Sequence, residues 1–189
     1  LFIMGSGLEL SMLTVSGQFQ AALEQVTVLE KGMERFGGRI STVRRAELFL
    51  QAAYACFGAG RHDRALRWCN RTLNEKGLDA HIELHALARV LNLAIHLETG
   101  KHDLLPYILR NTQRQLRSRE GASAVESAMM DRARSALHRR SAKEAREQWA
   151  RLLDRLEELA TIPGERAILD QIDLWEWARG KVLGRPCEE

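Results

Sequence analysis

Two histidines come closest to a metal-binding motif in this sequence. His81 and His85 stand four residues apart, so on a helix both rings share one face and both can reach a Zn²⁺ ion. The zincin pattern requires Glu directly after the first His, whereas Ile82 stands there and no further His or Cys follows at a ligand spacing. We therefore predict solvated or groove-lining histidines, with no metal and no cofactor.

A line of four polar side chains runs along the same predicted helix. Its members are His85, Arg89, Asn92 and His96. Intervals of four, three and four residues place them on one face of an otherwise apolar helix. Such groups can hydrogen-bond the backbone of a bound peptide, or they can hydrogen-bond neighbouring helices and stabilise their packing. Both interpretations stay open, and this line is the candidate partner-binding site.

Basic residues are concentrated between Pro106 and Arg146, where ten of them accompany four acidic residues. A phosphate-binding surface would use the arginines of this region: Arg110, Arg114, Arg117, Arg139 and Arg140. A basic stripe on a helical protein can follow a nucleic-acid backbone, but only Tyr107 and Trp149 are at hand for base stacking. Acidic residues three or four positions away can pair with many of these arginines. A solvated, salt-bridged surface is the favoured interpretation, and nucleic-acid binding is the alternative.

The sequence shows no catalytic constellation. It has no Gly-rich phosphate loop, nucleophile elbow, Cys/His pair at catalytic spacing or paired-carboxylate signature, so we predict no enzymatic activity. The cysteines, Cys56, Cys69 and Cys187, do not form a disulfide framework, which is typical of a reducing compartment. We expect a cytoplasmic location. No apolar run approaches the roughly 20 residues of a membrane-spanning helix.

The composition predicts that helices position these residues. The 189-residue chain has three prolines and is rich in Ala, Leu, Arg and Glu, a combination typical of an all-α fold. Gly60 follows Gly17 by 43 residues, Gly100 follows Gly60 by 40, and each glycine separates two amphipathic runs. Glycine turns at such a period predict stacked helical hairpins. The net charge of +3 is too small to indicate a class of partner.

Caps and breakers predict the helix boundaries. Helices are expected over Phe19–Phe36 and from Ser41 or Thr42 to Gly58, the second apolar on most sides and therefore packed between neighbours. Asp and Ser residues are predicted to cap the later helices: Asp63, Asp79, Asp103 and Ser141.

Three helices beyond residue 120 are predicted to cover the end of the stack. They comprise residues 123–139, a helix that Pro163 ends, and a last helix over about 165–183. On this last helix we expect Trp175 in the core and Trp177 packed on the preceding helix. The N-terminal helix has no comparable cover, so we expect the chain to be part of a longer one with further hairpins before it.

The middle hairpin resembles a tetratricopeptide repeat. The resemblance is carried by Phe49, Ala52, Ala53, Phe57, Gly60, His62, Ala65, Leu66, Cys69 and Leu73. Over residues 8–119 it implies a right-handed superhelix of hairpins whose first helices line a concave surface that receives a partner. The runs Ala88–Gly100 and Ile172–Trp177 are similar to the C-terminal part of uncharacterised bacterial helical-repeat proteins, which implies a bacterial cytosolic origin.

The resulting hypothesis is an all-α superhelix with tetratricopeptide-like hairpins over residues 1–120 and a continuous three-helix cap over 121–189. Its predicted function is that of a non-enzymatic scaffold that binds a peptide or helix of a partner protein in the concave groove. The polar line from His85 to His96 would contact that partner. A nucleic-acid-binding solenoid that uses the Arg-rich region 110–146 is the alternative.

Overall fold

The computed structural model describes residues 2–78, 81–117, 123–138 and 141–184. All regular structure in these residues is helical, which confirms the predicted all-α class. The α-helices are α1 (Phe2–Val15), α2 (Phe19–Phe36), α3 (Thr42–Gly58), α4 (His62–Leu73), α5 (Ile82–Thr99), α6 (Leu105–Arg117), α7 (Ala124–Leu137), α8 (Ala142–Leu159), α9 (Pro163–Leu169) and α10 (Leu174–Leu183). Single-turn 3-10 helices span Gly37–Arg39 and His102–Leu104.

The helices form two units. The described residues up to Ala88 make up the first unit, and those from Arg89 onward make up the second. This division falls within α5, and the boundary near residue 120 between hairpins and cap stays a prediction. The later part of α5 belongs with the C-terminal helices because its Arg89 pairs with Glu126 of α7.

Three glycine turns share one backbone geometry. Gly17, Gly60 and Gly100 have φ values of 71°, 68° and 63°, a left-handed conformation that a side chain disfavours. The residue after each glycine has φ between −88° and −75° and ψ between 58° and 63°. A helix then begins two residues after each glycine. The three turns therefore share one backbone conformation, and the superhelix of stacked hairpins stays a prediction.

Helix α3 occupies the centre of the first unit. It begins and ends as predicted, with the Ser41 hydroxyl accepting a hydrogen bond from the amide of Arg44. It packs against α1, α2 and α4, as expected for a helix that is apolar on most sides. Small residues allow the close approach, since a Cβ on Gly58 would lie 2.3 Å from the ring of Phe19.

The glycine turns change two of the predicted caps. The sequence predicts Asp63 and Asp103 as N-caps, but Arg61 precedes α4 and Lys101 precedes the 3-10 helix that leads into α6. Both predictions are wrong because the turn starts each helix two residues after its glycine. Each aspartate consequently lies in the first turn, where a carboxylate still interacts favourably with the helix dipole. Asp79 lies outside the described residues.

The C-terminal helices begin at well-defined caps. Ser141 caps α8 as predicted and forms a capping box with Glu144. In this box the side chain of each residue accepts a hydrogen bond from the backbone amide of the other. Ser123 and Glu126 form the same arrangement at α7. Capping boxes of this kind satisfy amides that a helix leaves without partners.

The predicted last helix is two helices. Asp173 interrupts it because its carboxylate accepts a hydrogen bond from the amide of Glu176 at 2.9 Å and starts a new helix, α10. Trp177 is buried on α8, as predicted. The prediction that Trp175 lies in the core is wrong, since Trp175 is half-buried and its Nε1 donates to Glu157.

Candidate functional site

The polar line on α5 lies mostly in the protein interior. Arg89, Asn92 and His96 are buried, whereas His85 is half-buried. A bound peptide needs accessible donors and acceptors, so this burial favours the interpretation that the line stabilises helix packing.

Arg89 forms a buried ion pair within the second unit. Its Nε lies 2.6 Å from Oε1 of Glu126, and the two side chains are only 4% and 2% exposed. The other carboxylate oxygen of Glu126 accepts a hydrogen bond from the amide of Ser123 at 3.2 Å. One buried carboxylate thus binds α5 and caps α7 at the same time. A buried ion pair of this kind is costly to break, because the remaining charge has no water to solvate it.

His96 is a buried neutral histidine. Its Nδ1 has no hydrogen-bond partner within the described part of the chain. Burial, and to a smaller extent the charge of Lys101, lowers the pKa of His96 below its ordinary value of 6.5. The ring is therefore uncharged near neutral pH, which suits an interior position better than a role in binding an anion.

The end of α5 is held by α10. Glu98 accepts a hydrogen bond from Nε1 of Trp177 at 2.6 Å and pairs with Lys181. Trp177 in turn meets Trp149 of α8 edge-on, with ring centroids 4.9 Å apart. On Trp149, the guanidinium of Arg132 lies 3.9 Å from the ring centroid. Trp149, one of the two aromatic residues considered for base stacking, is thus part of the core.

The Arg-rich region contains arginines in several different roles. Arg132 is buried on Trp149, Arg134 pairs with Asp131 at 2.6 Å, and Nε of Arg146 donates to the carbonyl of Val182 at the end of α10. Of these three contacts only Arg134–Asp131 is a salt bridge, so the choice between a salt-bridged surface and a phosphate-binding one stays open.

An exposed basic surface remains on α6. Arg110 and Arg114 are exposed, and so is Tyr107, with 66% of its surface accessible. The three residues lie three and four positions apart, on one face of the helix. The side chain of Arg117 is not described, and Arg139 and Arg140 lie outside the described residues. We call Tyr107, Arg110 and Arg114 the α6 basic face.

A second exposed surface, on α1, is apolar. Leu8 and Met12 are each 65% exposed, and Val15 is 84% exposed. Gly5 and Glu9 are exposed on the same side of the helix. We call these five residues the outer face of α1. Singly exposed apolar residues are ordinary, whereas contiguous apolar patches are common at interaction sites.

A groove runs along this face. It is a shallow, open depression, because every residue that lines it belongs to α1 or to the turn that follows. The residues that line it are Gly5, Leu8, Glu9, Met12, Leu13, Ser16 and Gln18. The sequence does not distinguish this face, because α1 is apolar on nearly all sides and only packing decides which side stays uncovered.

Neither the described residues nor comparisons assign a function directly. The described side chains include no cluster of three His, Cys, Asp or Glu that can hold a metal ion. No described helix is long and apolar enough to cross a membrane. Comparison with protein-family models, curated proteins and solved structures gave no match. The exposed surfaces on α1 and α6 are therefore the candidate functional sites.

Proposed function

We propose that the chain is a non-enzymatic interaction scaffold that docks a helical partner protein on the outer face of α1. The observation that carries this proposal is the exposure of Leu8, Met12 and Val15 on one side of α1. Burial of such a side chain contributes about 1.5–3 kcal/mol. Three side chains on one face can therefore offset a substantial part of the cost of association.

The surface differs from the one that the sequence favours. The sequence-based hypothesis uses the polar line of α5 in a concave groove, and the burial of Arg89, Asn92 and His96 leads us to place the partner on α1 instead. A tetratricopeptide-like superhelix, a bacterial origin and a cytoplasmic location remain part of the proposal. The common geometry of the turns at Gly17 and Gly60 supports the repeat on which that superhelix depends.

Affinity capture tests the proposal. The chain would be used to capture proteins from a lysate of its source, with and without nuclease, beside the variant Met12→Glu. A charge on the outer face of α1 should abolish capture of a specific protein partner, because burial of an unpaired carboxylate is costly. Ala21→Glu adds the same charge at an exposed position of α2 and should not. Equal capture by both variants would refute a role for this face.

Nucleic-acid binding is a second candidate function, and the α6 basic face favours it. Tyr107 can stack on a base while Arg110 and Arg114 contact phosphates. The test is titration of a single-stranded oligonucleotide at about 50 and 200 mM salt, since phosphate contacts weaken steeply with salt. Arg110→Glu with Arg114→Glu should abolish binding. Affinity that is independent of salt, or unchanged in this variant, would exclude the α6 basic face.

A further inference from the structure

Helix α4 presents an exposed face that consists of arginines and asparagines. Its four exposed members are Arg67, Asn70, Arg71 and Asn74, and Asn74 is the C-cap residue of the helix. Residues three and four positions apart are neighbours on a helix surface, so the four side chains lie together. We call them the Arg/Asn face of α4. None of its members is acidic, so the face carries two positive charges.

Helix α8 has arginines at the same spacing, but there they are accompanied by acidic residues. Its four exposed residues at this spacing are Arg151, Asp154, Arg155 and Glu158. Nη1 of Arg155 lies 2.6 Å from Oε2 of Glu158, and the two acidic residues leave this face of α8 without net charge. On α4 asparagines stand at both acidic positions, and neither Arg67 nor Arg71 forms an ion pair in the described part of the chain. The charge of the Arg/Asn face therefore lacks compensation and complements an acidic partner.

Arg71 is held in position by two aromatic rings. Its guanidinium lies 4.3 Å from the ring centroid of Trp68 and 5.9 Å from that of Phe49. Trp68 is only 2% exposed, so one side of the guanidinium is covered by the core. A guanidinium stacked in this way can still donate hydrogen bonds from its edge to a carboxylate. Because the stack restricts the side chain before binding, less conformational entropy is lost when a partner binds.

The asparagines match the groups of a peptide backbone. The side-chain amides of Asn70 and Asn74 each have a donor and an acceptor, and a peptide unit offers the same two groups. The backbone of a nucleic acid offers phosphate acceptors, which leave the asparagine oxygens without a donor. The Arg/Asn face also has no exposed aromatic ring on which a base could stack. Its chemistry therefore favours a peptide over a nucleic acid.

The spacing of the two arginines fits an extended peptide. Arg67 and Arg71 are separated by about 6 Å along the axis of α4. Alternate side chains of an extended chain point to the same side and are about 6.6 Å apart. Acidic side chains at alternate positions of an extended peptide can therefore reach both arginines. A partner helix fits less well, because the Arg/Asn face has no apolar side chain to anchor it.

We propose that the Arg/Asn face of α4 binds an extended acidic peptide of a partner protein, with Asp or Glu at alternate positions. Arg67 and Arg71 pair with its carboxylates, and Asn70 and Asn74 hydrogen-bond its backbone. This goes beyond the docking of a helical partner on α1, because it uses another helix and another chemistry.

Fluorescence anisotropy of a labelled peptide tests the proposal on the intact chain. The probe is a short peptide in which Glu and Thr alternate. A second peptide has the same composition but arranges Glu and Thr in adjacent pairs, so that no two Glu residues are two positions apart. The alternating peptide should bind at least about tenfold more tightly, because a carboxylate that misses its arginine loses a charge-assisted hydrogen bond. No measurable binding of the alternating peptide, or equal binding of both, would overturn the inference.

Two double variants of α4 should each weaken binding of the alternating peptide at least about tenfold. Arg67→Gln with Arg71→Gln removes both cations. Asn70→Asp with Asn74→Glu keeps the arginines and the stack on Trp68 but gives α4 the charge pattern of α8. Circular dichroism checks that both variants are folded, and the second variant decides if the first is not. Unchanged affinity in the folded variants would contradict a site on α4.

The control variant is Arg151→Gln with Arg155→Gln, which removes the same charge at the same spacing on α8. It should bind the alternating peptide as the original chain does, and an equal loss there would mean that net charge alone governs binding. Met12→Glu should also leave this affinity unchanged, so the peptide site and the docking role of α1 are tested independently.

A competitor distinguishes a peptide site from a phosphate site. Unlabelled oligothymidylate with the same number of negative charges should displace the labelled peptide at least about tenfold less effectively than the unlabelled peptide does. Equal displacement would identify the Arg/Asn face as a general site for polyanions and would overturn the inference.

Discussion

Replacing Arg89 by Met distinguishes the two interpretations of the polar line on α5. If the line stabilises packing, Arg89→Met leaves the carboxyl group of Glu126 2% exposed and without its cation. Removing one partner of a buried ion pair costs about 3–5 kcal/mol. The amide of Ser123 still donates a hydrogen bond to Glu126 and so stabilises its side chain in part. We therefore expect the free energy of unfolding to fall by about 3 kcal/mol.

The double variant Arg89→Met with Glu126→Gln tests the cause of that loss. Both charges are then absent and the new glutamine side chain can still cap α7, so the double variant should be more stable than either single variant. An interaction energy of about 0.5–3 kcal/mol is typical for residues in contact. Arg179→Met is the control, because it breaks an exposed pair with Glu176 and should cost about 0.5 kcal/mol or less.

The assay is urea unfolding followed by far-ultraviolet circular dichroism, together with partner capture by the same variants. A loss below about 1 kcal/mol for Arg89→Met, or additive single effects, would refute the packing interpretation. If Arg89→Met keeps the stability of the original chain but no longer captures the partner, Arg89 belongs to the binding surface.

Three further variants test other parts of the structure. Gly58→Ala should destabilise the chain by about 1–3 kcal/mol because its Cβ meets the ring of Phe19, and urea unfolding in a Phe19→Ala background should show a smaller loss. The pKa of His96 is lowered in the folded state, so the unfolded chain binds a proton at a higher pH than the folded chain does. The free energy of unfolding should therefore fall as the pH drops below about 6.5, by at most about 1.4 kcal/mol per pH unit. Unfolding curves of His96→Gln measured over the same pH range should lack this dependence. Burial raises the pKa of Cys56 to about 11, so in a Cys187→Ser background at pH about 8 the native chain should react with a disulfide reagent far more slowly than the unfolded chain, and equal rates would contradict the buried site.

The sequence predicts the elements that depend on local signals. Glycine turns and Ser caps are short-range signals that predict where helices end. Helices α2 and α3 begin and end where these signals predict. The capping rule gives the wrong start for α4. Asp63 is a good capping residue, but the turn at Gly60 decides where α4 starts. Asp173 likewise separates α9 from α10 within a stretch whose apolar period continues through it.

Exposure depends on packing between helices and is harder to predict. Arg89 has the same sequence pattern whether it faces a groove or Glu126, since its partner lies 37 residues away. Met12 and Ala55 both lie on apolar helices, yet Met12 is exposed and Ala55 is buried. The periodicity of a helix identifies its faces, but only the neighbouring helices determine which of them stays open to a partner.

The central claim is that the outer face of α1 is the docking surface, and the oxidation rate of Met12 tests it most directly. The rate of sulfoxide formation would be measured by peptide mass spectrometry with and without the captured partner. Met129, which is fully buried, is the internal reference. The bound partner should slow the oxidation of Met12, because a covered side chain is less accessible to the oxidant. An unchanged rate at Met12 in the fully bound complex would contradict the account.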